Sequence, residues 1–260
     1  LGEAPVKDEG SAVQYDDMQE SYTSRFTNQT IALAFAITEE AMEDNLYDTF
    51  AKVRARALGN SMASTKQTKA ASVFNNGFSA SYTGGDGVAL FSAAHPTIGA
   101  GNQSNTGGAT DLSEAALETA TIDISLYKDD RGLLIGAMPQ SLHIPTNLRF
   151  TAFQILKSDL STTTAVVASG GGTTNVNDIN ELKRGGYFPK GIHINHRFTD
   201  TNAWFVRTNV PNGTKMFERV KLQTKMEGDF DTGNMRYKAR ERYVFGWSDW
   251  RQWYGASGSS

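Results

Sequence analysis

The sequence predicts an α+β chain of elongated form, and three observations carry this. The first residues form an acidic, extended stretch with little core of its own. One long helical pattern follows it. A series of β-compatible runs fills the last third of the chain. With 260 residues the chain has enough material for one large domain or two modest ones. A chain of that length buries roughly 70–75% of its unfolded surface. An apolar fraction of 39% with 20% charged residues is that of an ordered, soluble chain.

Residues 1–37 read as an extended arm. Pro5, Gly10 and Ser11 punctuate its start, and Gln29 to Ile37 is β-compatible. Residues 38–76 carry the strongest local signal. Thr38 is a good N-cap, and Glu39, Glu40, Glu43 and Asp44 crowd the positive end of the helix dipole. Met42, Leu46, Phe50, Val53 and Ala57 make one apolar stripe, and Gly59 is a point where the helix bends or breaks. The pattern resumes through Met62, Lys66, Ala70, Val73 and Phe74 and stops at Asn75-Asn76-Gly77. Unbroken, such a helix is ~58 Å long. That length suits an elongated subunit.

Residues 77–111 are a glycine-rich loop, long enough to be functional or held by a partner. A helix is expected over 111–128, capped by Asp111 or Ser113, with Leu112, Ala116, Ala120, Ile124 and Leu126 in phase. Strands are expected around Pro139 within 133–144, then a helix from Leu148 to Leu156. Ser161 to Asn177, centred on Gly170-Gly171-Gly172, reads as an exposed, mobile loop. Strands follow at Ile192–Phe198, Ala203–Arg207, Phe217–Lys225 and Met235–Phe245, the last two joined by a turn at Asp231-Thr232-Gly233-Asn234.

The candidate chemistry is sparse. Without cysteine there are no disulfides, thiolate sites or thiol nucleophile. The longest apolar run, Ile31 to Ile37, is far short of the ~20 residues of a membrane span, and no signal peptide is expected. The missing initiator Met points to an earlier proteolytic cut or an omitted leader. His193 and His196 fall on opposite faces of a strand and would not chelate one metal. His95 precedes a proline in the loop. It could serve as a general base, but no Gly-x-Ser-x-Gly elbow supplies a nucleophile, so the expectation is a histidine bonded to backbone. His143 reads as a structural strand residue. Gly170–Gly172 lacks the Lys-Ser/Thr of a phosphate loop. Asp129, Asp130 and Asp44 default to surface turns. No cofactor is expected.

Charge is spread unevenly about a net −3. Glu3, Asp8, Glu9, Asp16, Asp17 and Glu20 face the single Lys7 in the first twenty residues, whereas Arg236, Lys238, Arg240 and Arg242 alternate near the other end. Besides two solvated faces, this suggests that the acidic arm meets the basic strand of a neighbouring subunit. No cationic cluster is dense enough for tight direct nucleic-acid binding. Trp247 is expected in the core, and Trp250 or Trp253 at a contact between subunits.

Several segments, in order, resemble the major capsid proteins of tailed bacteriophages with the Hong Kong 97 fold, in the branch related to Mu-like head subunits. They are Ile37-Thr38-Glu39-Glu40-Ala41-Met42-Glu43-Asp44-Asn45-Leu46-Tyr47; Asp86-Gly87-Val88-Ala89-Leu90-Phe91-Ser92-Ala93-Ala94-His95-Pro96 with Gly101 to Asn105; Lys128-Asp129-Asp130-Arg131-Gly132 with Pro139 to Pro145; Thr199 to Phe205; and Gly246-Trp247 through Arg251 to Tyr254-Gly255. Gln252-Trp253 departs from the glycine expected after Arg251. The resemblance implies an N-terminal arm and extended hairpin loop over 1–37, a peripheral domain with a spine helix over 38–110, an axial domain over 111–212, and return strands and tail over 213–260. It implies no enzyme. The function implied is a shell of pentamers and hexamers around double-stranded DNA, with portal, scaffold and decoration proteins as further partners and no membrane. The virion is the implied location, and the host bacterial cytoplasm the place of assembly. The alternatives are an encapsulin-like compartment, a tail or decoration protein, and a cytosolic hydrolase using His95.

Overall fold

A computed structural model describes residues 2–17, 20–44, 47–160, 164–166, 173–175 and 179–259. Its elements are β1 (Gln29–Ile37), α1 (Glu39–Glu43), α2 (Tyr47–Asn75), β2 (Thr106–Gly108), α3 (Glu114–Ser125), β3 (Pro139–Ile144), α4 (Arg149–Lys157), β4 (Thr164–Val166), β5 (Thr173–Asn175), α5 (Glu181–Arg184), β6 (Ile192–Ile194), β7 (Trp204–Thr208), β8 (Thr214–Gly228), β9 (Met235–Trp247) and β10 (Trp253–Ala256). They gather into two compact units. One holds residues 25–73 and 214–246; the other holds 1–24, 74–213 and 247–260. In the second of these units the glycine-rich segment after α2 and the C-terminal tail group with the 111–213 segment.

The smaller unit is a three-stranded sheet, order β1-β9-β8, with α2 against one face. β1 and β9 run antiparallel, from Gln29 opposite Tyr243 to Ile37 opposite Met235. Alternation along a strand divides the side chains between two faces. Ile31, Phe35 and Ala239 pack with Leu58 and Met62 of α2, and Phe35 stacks on Tyr237 at 4.9 Å. Lys66 of α2 reaches Glu218 at 2.8 Å and the buried Glu241 at 3.5 Å, fixing which faces of β8 and β9 point to the helix. The hydrogen bond that Lys66 donates to Glu218 raises the Lys66 pKa. The helix runs unbroken through Gly59. Its packed stripe is Leu58, Met62 and Ala71; Val53, expected in the stripe, is 60% exposed. Leu46 lies outside the described residues, as does the side chain of Phe50.

The larger unit is built on a mixed five-stranded sheet, order β2-β10-β7-β3-β6. β10 pairs antiparallel with β7 and parallel with β2; β3 pairs antiparallel with β7 and parallel with β6. Ser113 caps α3 by accepting the Ala116 N–H, and Ala116, Ala120 and Ile124 are buried as the periodicity requires; Leu126 is not. Only Pro139–Ile144 of the predicted 133–144 segment is a strand. Phe74, Phe91, Phe198 and Phe205 form an aromatic core, with Trp253 edge-on to Phe74 at 4.6 Å. A Cβ on Gly255 would sit 2.7 Å from the Phe91 ring, so β10 crosses that ring only as glycine. β4 and β5 pair antiparallel. The expected mobile loop over Ser161–Asn177, Gly170–Gly172 included, otherwise lies outside the described residues.

Candidate functional site

His95, the one residue with a catalytic reading, is fully buried. Its backbone pairs with Gln103 in both directions. Its Nδ1 lies 2.6 Å from Asp86 Oδ2, and its Nε2 3.1 Å from Asn105 Oδ1. The Asn105 amide cannot be turned over. Its oxygen accepts the Ser92 N–H, while its nitrogen donates to the Leu90 and Trp253 carbonyls. Both imidazole nitrogens therefore face side-chain acceptors. The ring stacks on Trp250 at 4.4 Å, and the Arg251 guanidinium lies 4.6 Å from the same indole. With both nitrogens occupied and no exposed surface, His95 has no open route to a substrate. The imidazole was expected to bond backbone; its partners are the side chains of Asp86 and Asn105, and only the main chain of His95 pairs with backbone.

Arg251 extends the network to Lys128 O and Asp130, and Asp130 accepts the Ser21 hydroxyl at 2.6 Å. Burial pushes the Asp130 carboxyl up, but the Ser21 and Arg251 hydrogen bonds and the Arg251 charge outweigh it and hold the pKa low. Asp129 accepts the Arg131 and Leu133 N–H groups, so both acids serve the turn. Asp44 ends α1. His143 stacks on His193 at 4.7 Å; burial first, then His193 and Arg207, depress its pKa to about 3. His196 accepts or donates to Thr146 and has no part in that pair. Among the described residues no cluster of three or more His, Asp or Glu could hold a metal, and no helix is long and apolar enough to cross a membrane.

The tryptophans need a correction. Trp250 and Trp253 are each 4% exposed, buried in their own unit like Trp247. His95 and Tyr127 cover Trp250, and Phe74 and His143 cover Trp253, leaving neither a surface for a neighbour.

The charged candidates lie on the surface. Asp8, Glu9, Asp16 and Asp17 are exposed. Asp16 receives the Gly2 N–H at 2.6 Å and Arg131 at 2.9 Å, bonds that lower its pKa. Arg236 pairs with Asp229 at the β8–β9 turn. Lys238 and Arg240 are exposed and Arg242 is half-buried, all on the sheet face turned away from α2. The sequence reading missed that Lys215, Arg219, Lys221 and Lys225 of β8 share this face. The signal was present: all four occupy odd positions, opposite in phase to Glu218, which points to the helix.

The family described as phage capsid protein matches residues 21–256. A comparison with curated proteins finds no significant match. Among solved structures, the capsid of cyanophage P-SCSP1u is 12% identical, with 100% of this chain and 81% of that chain covered at a TM-score of 0.54. The capsid of Myoviridae phage XM1 is 11% identical, covering 90% and 74% at 0.53. Such identities speak for the fold alone, and it is the fold expected from the motifs. The match over most of its length means that the chain belongs to the phage capsid protein family, and its fold is Hong Kong 97-like.

Proposed function

We propose that copies of this chain assemble into pentamers and hexamers that close into an icosahedral head around double-stranded DNA. The observation that carries this is the family match over residues 21–256, joined to a surface unsuited to a solitary molecule. Val6, Tyr15, Phe150 and Phe230 are 95%, 100%, 82% and 101% exposed. The role is structural, without turnover; the burial of His95 supports this reading. The packaged duplex is held by enclosure, without sequence-specific contacts. Portal, scaffold and decoration proteins complete the particle, which is assembled in the host cytoplasm and resides in the virion. The quoted motifs, by their order and spacing along the chain, support the Mu-like branch.

Electron microscopy of the expressed protein, with light scattering on the same sample, tests this. Uniform closed shells, or rings of five and six, are expected. A compact monomer at high concentration under every salt and crowding condition would overturn it. Shells purified with an enzyme cargo in place of DNA would favour the encapsulin-like compartment.

A further inference from the structure

The acidic N-terminal stretch is a closed loop. Ser11 donates its N–H and hydroxyl to Asp8 O, and Gly10 at φ 81° completes a turn at Asp8–Ser11. Gly2 donates to Asp16, and Arg131 pins that carboxylate, so residues 2 and 16 meet at the base. The loop thus presents Asp8 and Glu9 at its tip, with Val6, Val13 and Tyr15 exposed on its sides at 95%, 64% and 100%. Apolar side chains that stand largely in water, beside acids, are a surface prepared for a partner.

The far face of the β1-β9-β8 sheet has the opposite chemistry. Arg236, Lys238, Arg240 and Arg242 of β9 form one row, and Lys215, Arg219, Lys221 and Lys225 of β8 a second. Of these eight cations, Arg236 is neutralised by Asp229; among the described residues the other seven have no ion-pair partner. Like charges on adjacent strands repel, so this face gains from an anionic cover. Beside the cations, β1 offers exposed Ala36, Ala34 and Ala32, directly opposite Arg236, Lys238 and Arg240. These small side chains leave a shallow apolar trough along a basic row.

We infer that the acidic tip of the residue 2–16 loop of one copy docks on the basic far face of the β1-β9-β8 sheet of a second copy, Asp8 and Glu9 meeting the β9 and β8 cations while Val6, Val13 and Tyr15 settle against the alanines. The inference rests on the capsid reading and names a contact within it. A nucleic-acid duplex could also satisfy the cations. It would leave the alanine trough and the apolar flanks of the loop uncovered, so a second copy fits better. Electrostatic complementarity of this kind sets partner choice and encounter rate.

Because the chain has no cysteine, the contact can be trapped without background. In the full-length chain carrying Glu9→Cys with Arg240→Cys, mild oxidation of assembled particles should give a ladder of disulfide-linked oligomers. The reversal Asp8→Lys with Glu9→Lys, and separately Lys221→Glu with Arg240→Glu, should each cut shell yield at least tenfold while shifting the melting temperature of the free subunit little. Both pairs in one chain should restore shells. Shells from the unaltered chain, with indifferent variants and no ladder, would sink the docking inference and leave the capsid reading standing. The same inference falls if only intrachain disulfides form, or if the sheet reversal spares assembly but lowers retained DNA. If the unaltered chain forms no shells, the failure belongs to the capsid reading.

Discussion

At the residue scale, the least expected object is the buried His95 cluster. The sequence showed a histidine before a proline; it could not show Asp86 and Asn105 converging on it, since both contacts arise from folding of the glycine-rich segment. Its energetic weight is testable. Asp86 keeps only 6% of its side-chain surface and has the His95 ring as its hydrogen-bond partner. Removing one member of a buried hydrogen-bonded pair typically costs about 1–3 kcal/mol, because the other polar group is left buried and unsatisfied. His95→Ala should therefore lower unfolding stability by that amount in chemical denaturation. The double variant with Asp86→Ala should lose clearly less than the sum of the single losses. His143 gives a pH prediction. Its folded pKa of about 3 lies below the ordinary histidine value of 6.5, so the folded chain holds the neutral ring while the unfolded chain takes up a proton as pH falls below 6.5. Stability is then full above pH 6.5 and declines toward pH 3. Between pH 7 and pH 5 the loss should be about 1–2 kcal/mol, and His143→Gln should flatten that slope. A slope unchanged in the variant would remove His143 as its source.

At the scale of elements, the end of the long helix and the β8–β9 turn were legible because each rests on local signals: asparagine and glycine at a helix end, alternation along strands. The start was misplaced: Thr38 and its acids open the separate five-residue α1, Thr38 makes no side-chain cap bond, and the long helix α2 begins at Tyr47. The five-stranded sheet was not. β2 is Thr106–Gly108, three residues with two glycines, and it becomes a strand only because β10 passes beside it. No local pattern announces a parallel pairing between segments so distant in sequence. The helical stripe was half legible. Val53 has the right spacing and stands in water, while Leu58 and Met62 meet the sheet, since periodicity gives a face and not the length over which it is covered. Gly59, read as a possible break, is an ordinary helical position with nothing within 4 Å of where a Cβ would lie. Gly59→Ala should therefore stabilise the chain by about 0.5–1 kcal/mol, the helical cost of glycine, visible as a higher melting temperature. Destabilisation would mean that Gly59 is not an ordinary helical position in the folded chain.

At the scale of the whole molecule, the surface argues for assembly more strongly than any single residue. Apolar groups are left in water at many separate places, among them the N-terminal loop, α3, α4, β8 and the β8–β9 turn: Tyr15, Ile122, Phe150, Met226 and Phe230 are 100%, 60%, 82%, 58% and 101% exposed. Burial of apolar area is worth roughly 25 cal/mol per Å², so a chain displaying such groups at separate places gains by covering them with copies of itself. Two consequences follow together. Binding between folded copies stabilises the folded state by mass action, so shells should melt at a higher temperature than free subunits, whose own melting temperature should rise with concentration. Apolar dye fluorescence should also be several-fold lower per chain in shells than in free subunits, because the sites the dye occupies become contacts. If shells formed and bound as much dye per chain as free subunits, these side chains would face solvent in the particle, and the interfaces would have to be sought among the charged surfaces alone.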